Sequence, residues 1–202
     1  MLINSGIFLK EVRIYKEILS AFSEIDGNRD FWRPTTYLLR DDLLVFDDLT
    51  LKNYKILDDN QHDLCKKHIE AILKSFASFH ACSIIFEKNE KISIDEKFHE
   101  ILFETSVDDI PWFHSGLEVI RQVALKNALI SESEAEDFYE CLFNTIKIME
   151  SNPFHIPSVL CHRDIWKNNL MFTSNPIDCV IIDYQTARYL PLSVDVCMVI
   201  FC

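Results

Sequence analysis

The stretch His162-Arg163-Asp164-Ile165-Trp166-Lys167-Asn168-Asn169 does most to limit what this chain can become. Short apolar runs flank it. Val159-Leu160-Cys161 comes before it and Leu170-Met171-Phe172 after it, and Cys179-Val180-Ile181-Ile182 then leads straight into Asp183. Runs this short, bounded by polar clusters, read as buried strands. The polar stretch between them is then a loop tied to β-structure at both ends. A lone aspartate after an apolar run is ordinarily a turn or a helix cap. The ordered conjunction H-x-D-x4-N, followed by an apolar strand ending in aspartate, is much more specific than any of its parts.

Those residue types suit phosphoryl transfer. That reaction needs a carboxylate to orient an attacking hydroxyl and take its proton, and Asp164 is the candidate. It also needs a divalent cation to offset phosphate charge. Mg2+ prefers oxygen ligands and usually takes only one or two protein carboxylates. Asn169 and Asp183 would supply an amide oxygen and a carboxylate. The Asp-x4-Asn spacing lets one loop carry both base and metal ligand while the next strand presents the second ligand.

Upstream, Phe8 to Phe22 has helical periodicity. Phe8, Val12, Tyr15, Ile18 and Leu19 share one face, and Lys10, Arg13 and Lys16 are expected to point away. Asp26-Gly27-Asn28 stops the pattern. Thr35–Leu39 and Leu43–Phe46 read as a hairpin around Arg40-Asp41-Asp42. Ile69, Ile72, Leu73, Phe76 and Phe79 mark the clearest helix, with His80 at its edge in a structural role. Gly116–Leu129 and Ser131–Met149 read as a helix pair, the second opened by a Ser131-x-x-Glu134 capping box.

The net charge of −12 excludes a nucleic-acid partner, since a phosphate backbone needs a basic face. Seven cysteines, without a CxxC pair, argue against a disulfide framework or zinc site. They are expected to be inert, mostly buried thiols in a reducing cytoplasm. No signal peptide is visible, and no apolar run in the tail reaches the ~20 residues of a membrane span.

The run Cys161–Phe172, with Ile182-Asp183-Tyr184-Gln185-Thr186-Ala187-Arg188-Tyr189 and Asp195, resembles the insect CHK kinase-like proteins. These include the ecdysteroid-kinase-like proteins, within the choline kinase and aminoglycoside phosphotransferase superfamily. The family usually shows H-G-D-x-W-x-N-N and D-F-Q-x-x-R-Y. Here Arg163 replaces the glycine and Tyr184 the phenylalanine, and neither change removes a catalytic group. Phe8–Tyr15 resembles the family's F-x-x-E-x-x-F-Y helix, Leu44–Leu49 its hinge strand, and Ala77–Ser83 its A-x-F-H-A-x-S helix end.

The resemblance implies an α+β, incomplete protein-kinase-like two-lobed fold over residues 1–202. Residues 1–46 would be an N-lobe remnant. Residues 47–202 would be a truncated, mainly helical C-lobe with a small β-hairpin at the catalytic loop. Glu11 would be the helix glutamate that pairs with a strand lysine. The backbone near Phe46, Asp47 and Leu49 would face the adenine of ATP. His162 would buttress the loop, and Asp195 would start a helix that braces it. The acceptor would be a small-molecule alcohol, with steroid alcohols as the family-level expectation.

Family members carry a glycine-rich hairpin and a lysine before the glutamate helix, and further helices after the Asp195 region. This sequence has three glycines and only Met1–Ile7 ahead of that helix. The expectation is therefore weak or no turnover by these residues alone. The alternative is a pseudokinase-like binding or dimerising module. The apolar run Val196–Phe201 would start a buried helix and, if exposed, favour self-association.

Overall fold

The computed structural model describes residues 6–27, 32–57, 64–105 and 111–201. The chain forms two compact units. One takes the chain up to Phe103 and again from Pro157, and the other is Glu104–Ile156.

In the first unit, α1 (Ile7–Arg13), a π-helical segment (Ile14–Leu19) and α2 (Ser20–Asp26) run end to end. Gly27 closes them with a left-handed φ of 65°, a conformation that costs glycine nothing. The apolar stripe packs as expected: Val12, Tyr15, Ile18 and Leu19 are all buried. Lys10 contradicts the expectation that it points away, because it is 1% exposed. Its ammonium donates to the Phe103 carbonyl at 2.7 Å and lies 5.2 Å from the Phe103 ring centroid. A long aliphatic stem can be buried when its charged end finds such partners.

β1 (Thr36–Arg40) and β2 (Leu43–Phe46) pair antiparallel across the Asp41-Asp42 turn, as the two short runs around Arg40-Asp41-Asp42 predict. A 3-10 turn, Leu49–Lys52, follows, capped by Asp48, whose side chain accepts from the Thr50 N–H. Then comes α3 (Lys66–Glu90), the central helix of this unit. α3 is long and apolar enough to cross a membrane by length and composition. Its inward face nevertheless carries polar groups with specific partners. Ser75 Oγ donates to the Cys179 carbonyl at 2.7 Å, and Ser83 Oγ accepts from the Leu160 N–H at 3.1 Å. Those bonds make it the core helix of the fold. α4 (Ile94–Phe98) caps the unit's first pass.

After Pro157 the chain supplies β3 (Ser158–Cys161), β4 (Leu170–Phe172), β5 (Cys179–Ile181), β6 (Arg188–Pro191) and α7 (Ser193–Phe201). β4 pairs with β5 and β3 with β6, all antiparallel. β6 was not foreseen, because Arg188-Tyr189-Leu190-Pro191 has neither β-branching nor a clear alternation. The core gathers Ile14, Phe22, Trp32, Phe76, Phe79, Leu160, Ile181 and Tyr184 into one cluster. Met198 and Val199 of α7 pack on it, while Ile200 is 70% exposed.

The second unit holds α5 (Pro111–Lys126) and α6 (Ala135–Ser151). Glu134 reaches back to the Ser131 N–H at 2.9 Å, forming the expected capping box ahead of α6.

The cysteines depart from expectation. No disulfide forms among the described residues, and Cys82, Cys161 and Cys179 are buried, but Cys65, Cys141 and Cys197 are exposed.

Candidate active site

The loop between β3 and β4 is held from several directions. Asp195, in the first turn of α7, is fully buried. Its Oδ2 accepts from the His162 N–H at 2.8 Å, and its Oδ1 from the Arg163 N–H at 2.9 Å. His80 of α3 donates to the same Oδ2 at 2.9 Å. Arg163 sits at φ 69°, a left-handed conformation that costs a non-glycine residue about 1–2 kcal/mol. The bond from its N–H to Asp195 helps to hold it there.

His162 is fully buried and its pKa is lowered, chiefly by burial. Its Nε2–H donates to the Ile182 carbonyl at 2.9 Å, while Nδ1 accepts from the Asp164 N–H at 3.3 Å. A neutral imidazole with one donor and one acceptor nitrogen satisfies both bonds. His162 thus ties the Asp164 loop to the residue before Asp183. Thr186 adds a further tie by donating to the His162 carbonyl at 2.7 Å.

Asn169 links the other pieces. Its Nδ2 donates to the backbone oxygen and to Oδ2 of Asp164, both at 2.9 Å. Its own carbonyl accepts from the Ile182 N–H at 3.0 Å. The amide nitrogen is therefore committed, and the side-chain oxygen Oδ1 is the atom with acceptor capacity to spare. Asp183, at φ 68°, takes a bond from Gln185 Nε2 at 3.2 Å. Burial raises its pKa first, and the nearby Asp164 charge raises it further. Asp164, Asn169 and Asp183 are thus brought together around His162 and Ile182. A carboxylate and an amide oxygen are hard donors of the kind Mg2+ takes.

Asp183 also lines a cleft of about 510 Å³, with Glu11, Tyr15, Phe46, Asp47, Leu49, Met171 and Gln185 among its walls. Asp164 and Asn169 are not among the residues lining that cleft. Phe46, Asp47 and Leu49 all reach it, but the Asp47 carboxylate is already used. Its Oδ1 accepts from the Thr35 N–H at 2.8 Å, and its Oδ2 pairs with Lys52. The aspartate closes the β1–β2 hairpin, leaving the segment's backbone and apolar side chains to face the cleft.

Glu11 accepts from the Tyr184 N–H at 3.1 Å. No lysine or arginine pairs with it among the described residues. Its pKa is pushed up to about 7, first by burial and then by the Asp183 charge, against the backbone bond from Tyr184. A carboxyl whose folded pKa lies above its unfolded value binds protons more tightly when folded, so it loses stability as pH rises between the two values. Between about pH 4.5 and 7 the Glu11 site therefore opposes folding progressively. Glu11→Gln is expected to remove this slope and to stabilise the chain above pH 7 by on the order of 2–3 kcal/mol. Urea unfolding at pH 5 and pH 8 checks this, and equal gains at both pH values would contradict it.

The sequence marks the loop residues and the structural role of His80, but not the carboxylate partner of that histidine, nor two residues that line the cleft, Met171 and Tyr15. Met171 could have been found from strand alternation, since it points opposite to Leu170 and Phe172, which are buried. Tyr15 was counted only as core.

No curated protein matches the chain significantly. A solved structure of an ethanolamine kinase from Plasmodium vivax is similar over 90% of this chain, with 16% identity and a TM-score of 0.47. The chain spans about half of that protein, 49% of its length. The ecdysteroid kinase-like family matches residues 1–202, and the α+β order of elements agrees with the kinase-like fold that the sequence implied. The chain belongs to the ecdysteroid kinase-like family.

Proposed function

We propose that the chain carries the nucleotide- and metal-binding part of an ATP- and Mg2+-dependent phosphotransferase that acts on a small hydroxylated molecule. The observation behind this reading is the bonding around Asn169, which restrains Asp164 with one amide group and meets the Asp183 strand through its carbonyl. Asp164 is the base: held by Asn169, its carboxylate orients an acceptor hydroxyl and takes its proton. Asp183 and Asn169 Oδ1 hold the cation. Bound there, Mg2+ would offset charge on the transferring phosphate. His162 stays neutral and does not react. The hinge segment Phe46–Leu49 receives the base of ATP. Steroid alcohols are the acceptor class that the family name suggests, and the lack of a disulfide among the described residues fits a cytoplasmic setting.

A second reading has its own observation. Glu11 is half-buried, meets no lysine or arginine among the described residues and lies close to another acid, which suits a module that binds without turning over. In both readings these residues bind Mg·ATP weakly, because Glu11 has no lysine or arginine partner among the described residues.

Calorimetry with ATP in the presence and absence of Mg2+ tests the site. Asp183→Ala is expected to weaken Mg2+-dependent binding at least tenfold, about 1.4 kcal/mol. Binding that is equally strong without metal, or unaffected by Asp183→Ala, would sink both readings.

A further inference from the structure

Tyr15 lines the cleft, yet the side chain is only 1% exposed. Its hydroxyl is buried and has no hydrogen-bond partner among the described residues. Leaving a buried hydroxyl unpaired costs about 1–3 kcal/mol, so such a group calls for an explanation. The rest of the side chain is well fixed. Its ring packs on Phe46 at 4.9 Å and meets Tyr184 edge-on at 5.5 Å. It thereby joins the hinge strand to the residue after Asp183. The backbone beneath is the π-helical segment, which turns both members of two adjacent pairs inward: Ile14 with Tyr15, and Ile18 with Leu19. Local π geometry of this kind often marks a working part of a helix.

We propose that the Tyr15 hydroxyl is a ligand-binding group in the inner wall of this cleft, which hydrogen-bonds to the base of a bound nucleotide. This rests on the nucleotide reading above. The surroundings favour a base over a phosphate. Pro34, Phe46, Leu49, Met171 and Ile182 give the wall an apolar surface suited to a flat heteroaromatic ring. Glu11 and Asp183 lie on the same cleft, so a bare phosphate beside the tyrosine would meet two acids. Burial, with those two acids adding to it, holds the phenol protonated despite Arg33. The hydroxyl therefore keeps its proton to donate and its oxygen to accept, matching the mixed polar edge of a purine.

The test uses the full chain and its Tyr15→Phe variant, which keeps the ring and deletes only the hydroxyl. Calorimetry is run with Mg·ATP, with adenosine and with Mg·tripolyphosphate, and thermal melting of the free proteins is recorded beside it. Tyr15→Phe should weaken ATP and adenosine alike by about 5–10-fold, the worth of one hydrogen bond. Tripolyphosphate should not change. The melting temperature of the free variant should be equal or higher, because an unpaired buried group has been removed. Unchanged affinity for ATP and adenosine would make Tyr15 a core tyrosine and overturn the assignment alone. A loss for ATP and tripolyphosphate but not adenosine would move the hydroxyl to the phosphates and overturn the base contact. A wild-type chain that binds neither ATP nor adenosine would overturn the nucleotide reading itself, and this inference with it.

Discussion

Replacing Asp195 with alanine should destabilise the chain by about 3–5 kcal/mol, the usual cost of removing one partner from a buried charged network. Small domains are held by only about 5–15 kcal/mol in total, so a loss of this size removes a large share of the stability. The reason is a count of acceptors. One side chain takes the N–H groups of His162 and Arg163 and the imidazole of His80. Alanine takes the acceptor away from all three donors, two of them buried, and relaxes the restraint on left-handed Arg163. Cys161 Sγ is nearby, within 4.8 Å of the His80 and Asp195 ligand atoms. It cannot substitute, because it is directed at the carbonyls of Leu190 and Pro191. Urea unfolding followed by tryptophan fluorescence measures the loss. A change under about 1 kcal/mol would mean that water reaches the loop and that Asp195 is not its main support.

Asp164→Asn should lower phosphoryl transfer by about 10²–10⁴-fold in any form of this protein that turns over, the range for losing a general base. Nucleotide affinity should stay within about twofold, because the change keeps the shape of the side chain and the bond from Asn169. The asparagine oxygen can still accept from Asn169 Nδ2, but it cannot take a proton from an acceptor hydroxyl. The split between rate and affinity is the useful readout. Single-turnover measurements at saturating nucleotide give the first, and calorimetry the second. Equal turnover by the variant would show that Asp164 orients the substrate without acting as base. A parallel loss of affinity would place it among the metal ligands instead.

Much of this site could be read in the sequence because it is built from contiguous segments. The loop His162–Asn169 and the strand end at Asp183 depend on local patterns: short apolar runs, a fixed spacing and a polar interruption. What could not be read depends on distant pairing. Lys10 is a surface residue by helical periodicity, and only the Phe103 carbonyl, 93 residues away, explains its burial. β6 is legible only through its partner β3, whose buried face gives it somewhere to lie. The π segment has no signature in composition, and the regular helical repeat that places Tyr15 inward gives no sign of it. The role of His80 was half visible. Its place at the edge of an apolar stripe was clear, but its carboxylate partner lies on a helix 115 residues later.

Those separations bear on how the molecule assembles. Leu160 meets Ser83 across 77 residues, Asp195 meets His80 across 115, and Tyr184 meets Glu11 across 173. Contacts so far apart along the chain are entropically expensive to close and form slowly. During synthesis at about 5–20 residues per second, α1 and α3 leave the ribosome several seconds before the strands that complete their core. Over that interval the inward faces bearing Phe22, Phe76 and Phe79 have no β-layer to cover them, and transiently exposed apolar surface is what chaperones bind. The loop that carries Asp164 acquires its shape only when Asp195 arrives to accept the His162 and Arg163 N–H groups.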